Sequence, residues 1–219
     1  MHVSPAAASE LSVHKLDFWF DYSCPYAYLG STQVEALARR TGASLTFCPM
    51  LLGGVFRATG SPQNMMAALS APKARHNLLD MHRWADLFGV PLEIPDGHPF
   101  RTVEALRATL VVQCDPAVIH GFYRAYWVSG KPPSDPAVLR DVLTRAGHDA
   151  DRVLERIQDD ATKDDLRHRT DKAIALGIFG APTFVVNGSQ VFWGQDRMDF
   201  VARALTGAPS SGKELKATT

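Results

Sequence analysis

Phe20-Asp21-Tyr22-Ser23-Cys24-Pro25-Tyr26-Ala27-Tyr28-Leu29-Gly30 is the stretch that decides how this chain is read. The aromatic run before it, Leu16 to Phe20, has the composition of a buried strand. A helical pattern opens near Tyr26 and runs to Arg40, with Tyr28, Val34, Leu37 and Ala38 among its apolar positions, and Thr41-Gly42 closes it. Cys24 therefore falls at a helix N-terminus, beside a proline suited to the first helical turn. Unpaired N–H groups and the helix dipole stabilise an anion there, so the expectation for Cys24 is a thiolate. The fourth position of the motif is Ala27, not a second cysteine. That argues against a dithiol redox enzyme and for a site that handles another molecule's sulfur.

Outward from this stretch, Leu45 to Met50 reads as a second strand ended by a Gly53-Gly54 loop, which makes a β-α-β unit with parallel strands. Helical spacing then dominates: Asn64 to Phe88, Thr102 to Cys114, Ala117 to Val128, Pro136 to Ala146, Asp151 to Gln158 and Ala161 to Leu176. Asp149 is placed to cap the fifth of these. Strands return at Thr183 to Val186 and Gln190 to Trp193, read as a hairpin about a two-residue Asn187-Gly188 turn, and Met198 to Leu205 is a last helix. The fold class is α/β: a thioredoxin-like fold, β-α-β … β-β-α, interrupted by an all-helical insertion. The expected divisions are a disordered leader at 1–13, a thioredoxin-like part at 14–60 and 177–206, the insertion at 61–176, and a flexible tail at 207–219.

Totals narrow the function. Lysine plus arginine and aspartate plus glutamate both number 23, so no charge excess points to nucleic acid or an anionic membrane surface. No apolar run approaches the ~20 residues of a membrane span, and Met1 to Ser12 lacks the parts of a secretory signal. Three cysteines, Cys24, Cys48 and Cys114, form no disulfide framework, which fits reduced thiols in a cytoplasm. His76 and His82 are six residues apart, not at helical metal-pair spacing, and no Cys/His cluster occurs, so no metal is expected.

Asp21-Tyr22-Ser23-Cys24-Pro25-Tyr26 with Tyr28-Leu29 resembles the N-terminal signature of 2-hydroxychromene-2-carboxylate isomerases and kappa-class glutathione transferases, in the DsbA-like branch of the thioredoxin superfamily. Leu51 to Gly60, Arg83-Trp84-Ala85 with Gly89-Val90-Pro91, Gly180-Ala181-Pro182-Thr183 and Phe192 to Arg197 agree with it. The resemblance implies glutathione as cofactor, a small aromatic or electrophilic substrate, and a homodimer. It implies a cis Ala181–Pro182 bond facing Cys24, with the Ala181 N–H and C=O free for an extended tripeptide. It also implies that Ser23 and Lys73 lie near the cofactor's sulfur, and that Gln195 and Asp196 hold its γ-glutamyl end. Asp196 is also an N-cap by position, a role that can hold together with the first, and Lys73 is equally a solvated surface lysine. Tyr26, Phe56, Trp84 and Trp193 are candidate walls for the second substrate, and ordinary core packing is the competing role for these aromatics. Arg101, where the family often has asparagine, is a candidate carboxylate grip or an exposed helix-start residue. The family's asparagine after the second strand is replaced, with Ser61 or Asn64 as candidates.

The family places serine directly before the proline, where this chain has Cys24. Three functions follow. The first is glutathione-dependent isomerisation of 2-hydroxychromene-2-carboxylate-type intermediates of aromatic catabolism. The second is a kappa-like glutathione transferase or a monothiol oxidoreductase with Cys24 as nucleophile. The third is a peptide-binding module without turnover.

Overall fold

The computed structural model describes residues 14–207. The expected leader, and all of the expected tail but Gly207, lie outside the described residues. The frame is a four-stranded mixed sheet in the order β2-β1-β3-β4, made of β1 (Lys15–Phe20), β2 (Ser44–Pro49), β3 (Thr183–Val186) and β4 (Gln190–Trp193). The β1–β2 pair is parallel, and the β1–β3 and β3–β4 pairs are antiparallel. Helix α1 (Pro25–Thr41) is the crossover between the parallel strands. Then come α2 (Leu52–Thr59), α3 (Ala71–Phe88), α4 (Val103–Val111), α5 (Pro116–Trp127), α6 (Pro136–Arg145), α7 (Ala150–Arg156) and α8 (Asp160–Ala175), with α9 (Met198–Leu205) after the hairpin. This is a thioredoxin-like fold of the DsbA type.

The sheet is organised around β1, whose alternate residues Leu16, Phe18 and Phe20 are wholly buried. The Phe18 ring stacks on Phe20 with centroids 5.8 Å apart, and meets Phe47 and Phe184 at 6.0 and 5.4 Å. Gly30 lets α1 lie close over this layer: a Cβ there would stand 3.3 Å from both the Phe18 ring and Pro182. The helical block docks on the turn after β1. Trp127 Nε1 donates to the Tyr22 carbonyl at 2.8 Å, and the Tyr22 and Thr109 hydroxyls are 2.5 Å apart. The Tyr22 ring packs edge-on to Phe122 and Tyr123. The Trp127 indole and the Tyr22 phenol bury a large apolar area and still find polar partners, which fixes orientation as well as burial.

Three local expectations are corrected. Gly53 and Gly54 lie inside α2, not in a loop. Their smallness serves close packing, since a Cβ on Gly54 would stand 3.0 Å from Thr170 Cγ2 of α8. The helix expected from Asn64 begins instead at Ala71, with Pro72 in its first turn. A proline lacks the N–H that a helix interior needs, so it marks the start. The hairpin loop has three residues, Asn187 to Ser189, because Val186 pairs with Gln190. Asn187 and Gly188 take left-handed φ of 52° and 75°, and Asn187 ties back to β1 by accepting from Lys15 N at 3.0 Å. Gly42 (φ 66°) closes α1 and Asp149 caps α7 through Arg152 N, both where the sequence places them.

Thr170 Oγ1 accepts the Leu51 N–H at 3.0 Å, just before α2. Thr170→Val keeps the shape and strands that N–H. We expect a loss of about 1–3 kcal/mol, read from urea unfolding; an unchanged midpoint would show that the bond contributes nothing.

Candidate functional site

Asp21 builds the site. Its Oδ1 accepts from Ser23 N at 3.0 Å and from Ser23 Oγ at 3.2 Å, while its Oδ2 accepts from Leu52 N at 2.8 Å. The carboxyl is 1% exposed. Burial raises its pKa, and the Ser23 and Leu52 N–H groups with the Thr102 and Ser23 hydroxyls pull the other way. One buried carboxylate thus joins the turn before Cys24, the start of α2 and the residue before α4. In the sequence Asp21 figured only as a letter of the signature. The signal was there: an Asp two residues before a backbone N–H, just ahead of a helix start, is an Asx-turn.

The Asp21 turn delivers Cys24 to the N-cap of α1 in an extended conformation (φ −99°, ψ 116°), with Pro25 at the helix start. Its Sγ donates to the Ala181 carbonyl at 3.0 Å, and the Ala181–Pro182 bond is cis. Gly194 N donates to the Pro182 carbonyl at 2.9 Å and Thr183 Oγ1 to the Gly180 carbonyl at 2.8 Å, so the segment is held from both sides. The Ala181 N–H makes no hydrogen bond among the described residues.

The expected thiolate is corrected. Burial pushes the Cys24 thiol up to about 12; the Ala27 and Tyr26 N–H groups lower it, and Asp21 adds to the rise. Desolvation outweighs the helix terminus, and Cys24 stands as a neutral thiol that donates.

Tyr26 is half-buried beside it. Burial, then the negative charges of Asp80 and Asp196, push its hydroxyl up to about 12. Tyr26 therefore lies between α3, which carries Asp80, and the short 3-10 turn Gln195–Arg197. Gln195 is buried and the turn packs against α1. Asp196 is not an N-cap: it pairs with Arg197 Nη1 at 2.6 Å, and no side-chain cap bond forms on the turn or on α9.

Ser23, Cys24, Tyr26, Ala181 and Pro182 are thus brought together, with Gln195 and Asp196 on the flanking turn. The remaining candidates are not drawn in. Arg101 is two-thirds exposed and its guanidinium forks onto Glu104, at 2.9 and 3.0 Å from Nε, so the expected substrate grip already has a partner within the protein. Lys73 is exposed in the first turn of α3 and forms no ion pair among the described residues. Phe56 and Trp84 are half-buried against the core, Trp84 packing on Phe88 at 5.3 Å. Trp193 is half-exposed, packs on Phe179 at 5.1 Å, and covers Gly180, where a Cβ would stand 2.6 Å from its Nε1. Ser61 bonds only Thr59 Oγ1 through its hydroxyl, and Asn64 accepts from Ala67 N. A second cis bond, His98–Pro99, escaped the sequence; Tyr126 OH holds it, 2.8 Å from His98 Nδ1 and accepting from Phe100 N at 2.7 Å. Among the described residues no three His, Cys, Asp or Glu side chains are grouped to hold a metal, and no helix is long and apolar enough to cross a membrane.

Residues 15–206 match the DSBA-like thioredoxin domain. The chain is 33% identical over 194 residues to a 2-hydroxychromene-2-carboxylate isomerase of Sphingobium xenophagum, covering 87% of this chain and 97% of that one. It is 28% identical to glutathione S-transferase kappa 1 of Caenorhabditis elegans, covering 87% and 90%. A solved 2-hydroxychromene-2-carboxylate isomerase superposes with a TM-score of 0.78 at 24% identity, over 87% of this chain and 94% of that one. These relatives are enzymes.

Two outcomes follow from the geometry. With its pKa near 12 against an ordinary 9.0, Cys24 should be alkylated by iodoacetamide at pH 8 at least about thirtyfold more slowly than a peptide cysteine, the lost thiolate fraction outweighing the gain in nucleophilicity. Peptide mapping by mass spectrometry reads this, and a rate within tenfold contradicts the burial argument. Asp21 has a folded pKa above its ordinary 3.8, so the folded state takes up its proton first. Its contribution to stability is full below 3.8 and is lost as pH rises through the folded pKa. Urea unfolding from pH 4 upward should show this falling component, absent in Asp21→Asn. That variant should also lose about 1–3 kcal/mol near pH 7, since one amide oxygen cannot serve both N–H groups. Parallel pH curves for the two proteins would refute the assignment.

Proposed function

We propose, for a chain that belongs to the DsbA-like thioredoxin domain family on the branch of the 2-hydroxychromene-2-carboxylate isomerases and kappa-class glutathione transferases, that it is a glutathione-dependent isomerase of 2-hydroxychromene-2-carboxylate-type intermediates. One observation carries this reading: the lone Cys24 thiol is neutral and donates to Ala181 O beside a cis proline, with Ala27 where a resolving cysteine would stand. A thiol that is buried, protonated and without a partner cysteine suits a donor to someone else's sulfur anion better than a redox nucleophile.

The residues present fit an extended thiol peptide. Ala181 offers an N–H without a partner among the described residues and a carbonyl that accepts only a weak S–H bond. Such a pair at a cis-proline segment is what main-chain recognition of a peptide requires. Once the Ala181 carbonyl accepts a peptide N–H, the Cys24 S–H is released. It then turns toward the mouth of α1, where the Tyr26 and Ala27 N–H groups converge. There it stabilises a sulfur anion. Gln195 and Asp196 face the polar end of the peptide, with Arg197 supplying a cation beside Asp196. Tyr26, half-buried at the same mouth, packs on the substrate ring. Bound there, glutathione would supply a nucleophilic thiolate for covalent catalysis with no net redox change, held by the Ala181 main chain and steadied by the Cys24 S–H. The free state of all three cysteines suits a reducing, cytoplasmic compartment, and we propose a homodimer.

The same placement of a sulfur anion serves glutathione transfer to an electrophile, and a stable conjugate would identify it. For the isomerase, turnover of 2-hydroxychromene-2-carboxylate should require reduced glutathione. Cys24→Ser should keep activity within about tenfold and Cys24→Ala should lose about 10²–10³-fold, the usual cost of one lost anion donor. Calorimetry showing no heat with reduced glutathione, or full activity in Cys24→Ala, would overturn the reading.

A further inference from the structure

A cleft of about 390 Å³ opens between the end of α4 and α7, and no residue of the Cys24 site lines it. Val111, Val112 and Val153 form its apolar side. Arg152 and Arg156 stand on it one helical turn apart. Helices α6 to α8 carry six arginines. Arg140, Arg145, Arg167 and Arg169 each have a carboxylate partner within 3.0 Å. Arg152 and Arg156 form no ion pair among the described residues, and both face the cleft. Three nearby carboxylates have partners, and one of them, Asp149, also lines the cleft. Asp149 Oδ1 accepts from Arg152 N, Asp151 holds Arg140, and Asp115 Oδ2 holds His148 Nε2 at 2.8 Å while its Oδ1 caps α5 through Ala117 N. The Asp115 carboxylate fixes the His148 ring, which also lines the cleft. Gln113, with a left-handed φ of 56°, supplies a carboxamide from the loop after α4.

We propose that this cleft is a binding site for a small oxyanion with an apolar body, an aryl or alkyl phosphate or carboxylate, gripped by the Arg152 and Arg156 guanidiniums with its apolar part on Val111, Val112 and Val153. Guanidinium forks match phosphate and carboxylate oxygens, and two of them one turn apart bracket a single anion. His148 and Gln113 add hydrogen-bonding groups at its flank. The site does not rest on the glutathione reading, because Cys24 plays no part in it.

Titration of the full-length protein with phenyl phosphate, followed by calorimetry and by the amide resonances of Val112, Gln113 and His148, tests it. Saturable binding is expected, tighter than that of inorganic phosphate and absent with phenol. Arg152→Gln and Arg156→Gln should each weaken it tenfold or more, with melting curves like the parent's. Arg145→Gln, which removes a paired surface arginine, and Cys24→Ser should leave it unchanged. Binding that fails to saturate, that falls equally in Arg145→Gln, or that is lost in Cys24→Ser but kept in both cleft variants would overturn the proposal.

Discussion

The buried carboxylate of Asp21 is the tie on which the arrangement depends. It spans three parts of the chain, through the N–H groups of Ser23 and Leu52 and the Thr102 hydroxyl. An isolated charge in that position would be expensive. Its acceptor sites are instead filled by donors that would themselves be orphans, since Leu52 N opens α2 and needs a partner. Satisfying one group satisfies several. The result is that Cys24 reaches the head of α1 in one extended conformation, pointed at Ala181.

At that point two opposing effects meet. A helix terminus favours a nearby anion by about 0.3–1 kcal/mol when exposed, and by up to ~2 when partly buried. Removing a charge from water costs several kcal/mol. Cys24 is buried and Asp21 adds negative potential, so the neutral thiol wins. The head of α1 therefore carries a neutral donor and no anion of its own.

Much of this was legible in the sequence. The strand–helix–strand entry, the closing hairpin, the caps at Gly42 and Asp149 and the cis proline all rest on local chemistry that leaves a trace in residue type. What stayed hidden depends on partners far along the chain. Gly53-Gly54 looked like a loop because the close neighbour that demands a glycine at 54, Thr170, comes more than a hundred residues later. Periodicity carried a helix through Asn64 to Phe88, although Pro72 should have set its start. The thiolate expectation weighed the helix end without the burial, which no local pattern reports. Arg101 stayed open between a grip and an exposed helix-start residue because its pairing with Glu104, three residues on, was not read. Most of the architecture and the heart of the site are local facts; the electrostatics are not.

The sheet order has a consequence for how the chain is made. β1 lies in the interior of the sheet, yet one of its two neighbours, β3, begins at Thr183. During synthesis the first strand has only β2 beside it, and its other flank stays bare until some 140 further residues have left the ribosome. The seven helices between must form against a half-built platform. Such long-range closure is slow and exposes an unpaired strand meanwhile. Premature contact with another nascent chain, rather than loss of any single bond in the finished molecule, is therefore the hazard that this topology carries from its birth.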